Sequence, residues 1–144
     1  MIAKDKIRRL IPHAGSMCLL DEVESWDSDQ IVCNSRSHLD TNNPLQLKGH
    51  IPAVCLVEYA AQAMAVHGGL SNVDASSVGY LASIRNLVLA DVSLDSYDAP
   101  LKICAKKIAG DERSLMYQFH VTANNTEIAS GRAAVVLQPR GDAA

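Results

Sequence analysis

A chain of 144 residues can bury one sizeable core, and residues 1–144 are read as one domain. Its net charge of −3 and 4% aromatic content argue against nucleic acid as a ligand, because there is neither a surplus of Lys and Arg for phosphates nor a set of stacking rings. No apolar run approaches the length of about eighteen residues that a membrane span requires.

The opening segment, Met1 to Arg9, carries Lys4, Lys6, Arg8 and Arg9 without a following apolar stretch, so it does not read as a secretory signal. The chain is read as cytoplasmic. Ile2 to Leu10 suits a short basic helix stopped by Pro12. Met17 to Trp26 and Gln30 to His38 suit the arms of a hairpin turning at Asp27-Ser28-Asp29. Thr41-Asn42-Asn43-Pro44 is a loop by its turn chemistry.

A helix is predicted from Ala53 to His67, with Pro52 just before it and Gly68-Gly69 ending it. Val54, Val57, Ala61, Met64 and Ala65 keep helical spacing, and Leu56 and Ala60 cover the flank. An element apolar nearly all round is expected to be wrapped by other structure. Four strands follow, at Val78 to Ala90, Leu101 to Ile108, Ser114 to Ala123 and Glu127 to Leu137. In the third, Leu115, Tyr117, Phe119 and Val121 alternate with Met116, Gln118, His120 and Thr122, as in a strand with one buried face. Gly110-Asp111 and Asn124-Asn125 are hairpin connectors. The tail from Gly141 is expected to fray. A hairpin, one apolar helix and an antiparallel run of strands fit an α+β architecture in which a long antiparallel β-sheet wraps around one central helix, the hotdog fold.

Within that frame the chemistry concentrates at Gly49-His50-Ile51-Pro52. One histidine stands on a tight turn, and one acid, Glu58, sits in the first half of the apolar helix. A carboxylate among Val54, Leu56, Val57, Ala60, Ala61 and Met64 is unfavourable unless paired or protonated, and a nearby imidazole makes proton transfer a use for it. A turn histidine bonding backbone and a structural acid capping a loop are the plainer alternatives. Free N–H groups at the helix start, near Ala53, Val54 and Cys55, are candidate donors to a developing negative charge. Gln62, one turn beyond Glu58, is placed to orient it.

The other candidates are weaker. Cys18, Cys33, Cys55 and Cys104 are far apart among apolar neighbours and are read as reduced core thiols. His13, His38, His67 and His120 show no metal-ligand spacing, so no metal and no cofactor are expected. His13 is assigned to local hydrogen bonding, and the other three to solvent or edge positions. Tyr59 and Met64 are read as packing.

IPHAGSMCLLDEV is similar to the Pro-His opening of β-hydroxyacyl-acyl-carrier-protein dehydratases of the FabZ/FabA type. GHIP followed by CLVEYAAQAMA resembles their active-site histidine turn and central-helix acid. The strands from Gly79-Tyr80-Leu81 to Ala134-Val135-Val136 come in the family's order, so the resemblance covers nearly the whole chain. His50 and Glu58 are eight positions apart, closer than in the usual pattern, where several more residues, including prolines and a glycine, lie between histidine and acid. This short form looks most like a dehydratase-like subgroup linked with aryl-polyene synthesis.

The resemblance implies dehydration of a 3-hydroxyacyl thioester on an acyl carrier protein. His50 takes the base position and Glu58 the acid or hydroxyl-anchor position, and the reverse division of labour stays open. It also implies a dimer with two shared sites, or a heterodimer with a second hotdog dehydratase. Six residues of helix between Pro52 and Glu58 cover roughly 9 Å, so a hydrogen bond within one chain is not assured. The basic residues of the opening segment, Arg85, and Lys106 with Lys107 are charges that could meet an acidic carrier. An acyl thioesterase of the same fold and a non-catalytic partner subunit are the rival readings.

Overall fold

The computed structural model of the chain describes residues 1–11, 17–71 and 77–139. His13 and the tail from Gly141 lie outside the described residues. In chain order the elements are β1 (Ile2–Ala3), α1 (Lys4–Leu10), β2 (Glu22–Trp26), β3 (Gln30–Ser35), α2 (Leu56–Ser71), β4 (Ser77–Leu89), β5 (Leu101–Gly110), β6 (Ser114–Ala123) and β7 (Thr126–Pro139). The seven strands form one antiparallel sheet in the order β1-β2-β3-β5-β6-β7-β4, and α2 packs on it against β3, β5 and β6. This is the hotdog arrangement, built as the alternating strands and the one long apolar helix predict.

The register shows why the inner face holds the helix. Cys33, Ile103, Val121 and Ala129 stand in one row across four strands, and Ile31, Ala105, Phe119 and Gly131 in another. All eight face the core. Gly131 leaves room for its ladder partner, since a Cβ there would come within 2.9 Å of the Phe119 ring. At the far end of α2, His67 sets Nδ1 2.6 Å from the Tyr117 hydroxyl and Nε2 2.8 Å from the Asp27 carbonyl. It thereby ties the helix to β6 and to the β2–β3 turn.

Several expectations need correction. Ile2 and Ala3 pair with Val23 and Glu22 as an edge strand, and the first helix begins only at Lys4. The first hairpin arm starts at Glu22: the Asp21 N–H still reaches the Asn34 carbonyl of β3, but the Leu19 N–H goes to the Gln62 side chain of α2. The second arm ends at Ser35. His38 is in a 3-10 turn, Ser37–Leu39, and is buried, with Nε2 donating to the Tyr97 carbonyl at 2.9 Å. His67 is buried as well, so neither histidine occupies the solvent or edge position assigned to it. Burial holds both imidazoles below the ordinary pKa of 6.5. Cys18 and Cys33 are core thiols, but Cys55 and Cys104 are only half-buried.

Helix α2 runs through Gly68-Gly69 to Ser71 and is preceded by a 3-10 turn, Ala53–Cys55. Gly69 serves packing rather than termination, since a Cβ there would lie 3.2 Å from Leu10 Cδ2 and 3.3 Å from the Leu10 carbonyl. The helix buries Leu56, Tyr59, Ala60, Ala63, Met64 and Val66. Val57, Ala61 and Ala65 are only half-covered, and Val54 is 56% exposed. One chain therefore wraps α2 on one side, not all round.

Candidate active site

The histidine turn is built from local chain chemistry. Leu47 and His50 exchange two backbone hydrogen bonds, at 2.6 and 3.1 Å, around Lys48 and Gly49, whose φ values are +54° and +83°. Two positive φ values in sequence give a two-residue turn of the I′ kind, which favours glycine at Gly49. The segment leading into it is pinned to α2. Tyr59 is fully buried, and its hydroxyl meets Ser37 Oγ at 2.7 Å and Asn43 Nδ2 at 3.3 Å. Asn43 in turn donates to the Ser37 carbonyl and accepts from the Leu45 N–H.

His50 projects from this turn with 68% of its side chain exposed. Its Nδ1 lies 3.0 Å from Asp95 Oδ2. The other oxygen of the same carboxylate accepts the Ile51 N–H at 3.0 Å. The Leu94 N–H donates to the Ile51 carbonyl at 2.8 Å, and both Leu94 and Ile51 are fully buried. The 3-10 turn Leu94–Ser96, between β4 and β5, is thus latched to His50 and Ile51 at three points, two through the Asp95 carboxylate and one through the Leu94 N–H. The Ile51 N–H, and after it His50, draw the Asp95 carboxyl down to a pKa of about 2.

Beyond Ile51 the chain passes Pro52, in extended conformation, into the 3-10 turn. The Cys55 N–H donates to the Pro52 carbonyl at 3.0 Å and is thereby committed. Ala53 and Val54 stand at the mouth of the helix. Glu58 is in the first turn of α2, half-buried, where Oε1 accepts from Gln62 Nε2 at 3.1 Å. Gln62 is itself buried. Its Nε2 also donates to the Met17 carbonyl at 2.7 Å, and its Oε1 takes the Leu19 N–H at 2.9 Å.

The structure therefore pairs His50 with Asp95 and Glu58 with Gln62, at the two ends of the short 3-10 turn. From Pro52 to Glu58, three residues of 3-10 rise and three of α rise cover about 10 Å. Asp95 escapes sequence reasoning, because no spacing rule links a residue in the β4–β5 connection to a turn so far upstream. Its only local signal is the Ser-Leu-Asp-Ser run of turn-forming residues.

Residues 5–144 match the model of one protein family, ApeP-like, described as ApeP dehydratase. No curated protein matches the sequence significantly. Among solved structures, the chain is similar to one from Xenorhabdus doucetiae, the dehydratase heterocomplex ApeI:P. That match has a TM-score of 0.82 and 20% identity, covering 95% of this chain and 93% of that one. A thioesterase from Haemophilus influenzae follows at TM-score 0.70 and 13% identity, over 97% of this chain and 93% of the other. A putative thioesterase from Silicibacter sp. TM1040 aligns at TM-score 0.69 and 9% identity, over 96% and 94%. At these identities the structural matches speak for the fold alone.

Proposed function

The chain belongs to the ApeP-like dehydratase family, and on that premise we propose that it removes water from a 3-hydroxyacyl thioester carried by an acyl carrier protein, giving a trans-2-enoyl thioester. The observation that carries this reading is the His50 imidazole, exposed on a rigid turn at the mouth of the helix that bears Glu58.

In this reading His50 takes the C2 proton. The C2 electron pair forms the C2=C3 double bond, and the C3–O bond breaks as Glu58 gives a proton to the departing hydroxyl. Water leaves, and the proton gained by imidazole and that lost by the carboxyl are restored by exchange with solvent. An imidazole suits the first transfer, because its ordinary pKa lies near neutral pH. A carboxylic acid suits the second, since in its protonated form it can donate directly to the departing oxygen. Negative charge on the thioester oxygen would be met by N–H donors at the mouth of the helix, Ala53 and Val54, with Gln62 holding the acid.

The site is completed by a second hotdog chain. The roughly 10 Å of helix between Pro52 and Glu58 supports this, as do the half-covered face of α2 and the apolar outer strand β4. On and near β4, Tyr80, Leu81, Leu87, Val88 and Val92 are exposed, and among the described residues only one edge of the strand is paired, with β7. A long apolar edge strand invites another strand. The occupant is a second copy, or a second dehydratase of the kind that the heterocomplex from Xenorhabdus doucetiae is named for.

The test is to offer the protein, alone and with such a partner, a 3-hydroxyacyl thioester and a simple acyl thioester. New conjugated absorbance from the first, lost in His50→Ala and Glu58→Gln, is the expected result. Free thiol from the second would make it a thioesterase. Wild-type rates in both variants would end the residue assignment.

A further inference from the structure

We propose that Asp95 is a positioning residue for this reaction: it holds the proton of His50 on Nδ1, so that Nε2 is the atom that accepts the substrate proton. Its place in the reaction rests on the proposed dehydratase reading; the pairing itself does not.

The argument starts from valence. An ionised carboxylate has acceptors only, so a ring nitrogen 3.0 Å from it carries a hydrogen. That assigns the proton to Nδ1 and leaves the lone pair of the neutral ring on Nε2. Asp95 is kept ionised by its second bond, to the Ile51 N–H at 3.0 Å, which survives whatever the imidazole does. The geometry is over-determined by the backbone, since the Leu94 N–H bonds the Ile51 carbonyl and buried Leu94 anchors the turn.

The need for such a device is equally visible. His50 has 68% of its side chain in solvent, so core packing does little to fix its ring. An unheld imidazole divides its time between two tautomers and several rotamers, and only one combination presents a basic nitrogen to the substrate. One carboxylate spanning two successive residues fixes the ring plane, the tautomer and the backbone beneath them together.

The decisive substitution is Asp95→Asn. The asparagine oxygen keeps the Ile51 N–H, while its NH2 group faces Nδ1 as a donor. The imidazole must then carry its proton on Nε2, where the base should be. Histidine nitrogens of the 15N-labelled chain are read by NMR, and hydration of an enoyl thioester by the active complex is measured alongside. In the wild type, Nδ1 is expected protonated and Nε2 bare; in D95N the assignment reverses. The same variant is expected to lose activity by about 100-fold or more in kcat, with KM within about twofold. Activity near wild type in D95N, or a neutral wild-type imidazole whose single proton sits on Nε2, overturns the proposal. The wild-type spectrum alone decides the pairing should D95N fail to fold. Reversed tautomers in a protein that never hydrates an enoyl thioester would leave the Asp95–His50 pair standing and remove the dehydratase reading instead.

Discussion

Gln62 stands one helical turn beyond Glu58, and its buried amide joins three parts of the site: Glu58 itself, the Met17 carbonyl and the Leu19 N–H. The residue is therefore a clamp between α2 and the segment leading into β2, as well as a rest for the acid. In Gln62→Ala the buried Leu19 N–H loses its acceptor. Leaving one buried polar group unsatisfied costs about 1–3 kcal/mol, and the other two bonds go as well. Urea unfolding should show a loss of about 2–4 kcal/mol, with hydration activity reduced in the protein that remains folded.

The two buried histidines set an acid limb on stability. His38 and His67 both have folded pKa values below 6.5, with burial as the main cause. Below 6.5 the unfolded chain binds protons that the folded chain refuses. The contribution of these groups is thus complete above pH 6.5 and declines as pH falls toward their folded values. Stability in urea should be lower at pH 5.5 than at 7.5, and His67→Gln should reduce that difference. A flat profile in the wild type would contradict this account. Asp95 acts in a separate window, because its carboxyl is drawn from 3.8 to about 2, so its latch on Ile51 should weaken only as pH falls below about 4.

Gly131 is a packing glycine. The Phe119 ring is fully buried, and a Cβ at Gly131 would come within 2.9 Å of it. Gly131→Val favours the strand by propensity but drives a side chain into that ring. Overpacking is expected to prevail, at about 1–3 kcal/mol of destabilisation in thermal or urea melts. A stabilised Val variant would show that the ring can move.

The outer edge of β4 predicts assembly. Val88 is 64% exposed, on the strand that ends the sheet among the described residues. Sedimentation should find the wild type, or the wild type with its hotdog partner, at twice the single-chain mass. Val88→Lys should shift it toward the single chain and lower activity with it. A monomeric wild type that is fully active would remove the shared-site reading.

Most of the sheet was legible from alternation. Ser114–Ala123 came out with both ends correct, and Asn124-Asn125 is a turn with φ values of +54° and +64°. Alternation records which face is wet, and a strand buried on one face shows this directly. The errors fell where a residue's partner is remote in sequence. Gly68-Gly69 reads locally as a stop, yet the helix continues through both, and close approach of Leu10 of α1 sets the role of Gly69. His38 and His67 read as polar and therefore outer, but each finds backbone or hydroxyl partners inside. Asp95 follows the same rule: a carboxylate in a turn is ordinary until the fold brings His50 against it.

The position of β4 also governs when the protein can assemble. Its ladder neighbour is β7, and β5 and β6 lie between them in the chain. During synthesis an apolar strand emerges with neither edge satisfied, and it must wait for two further strands and the beginning of a third. Over that interval it is open to mispairing, so ribosomal pace and any early-binding companion strand influence yield more than final stability does. Circular permutants that bring β7 and β4 together in sequence would shorten this vulnerable period.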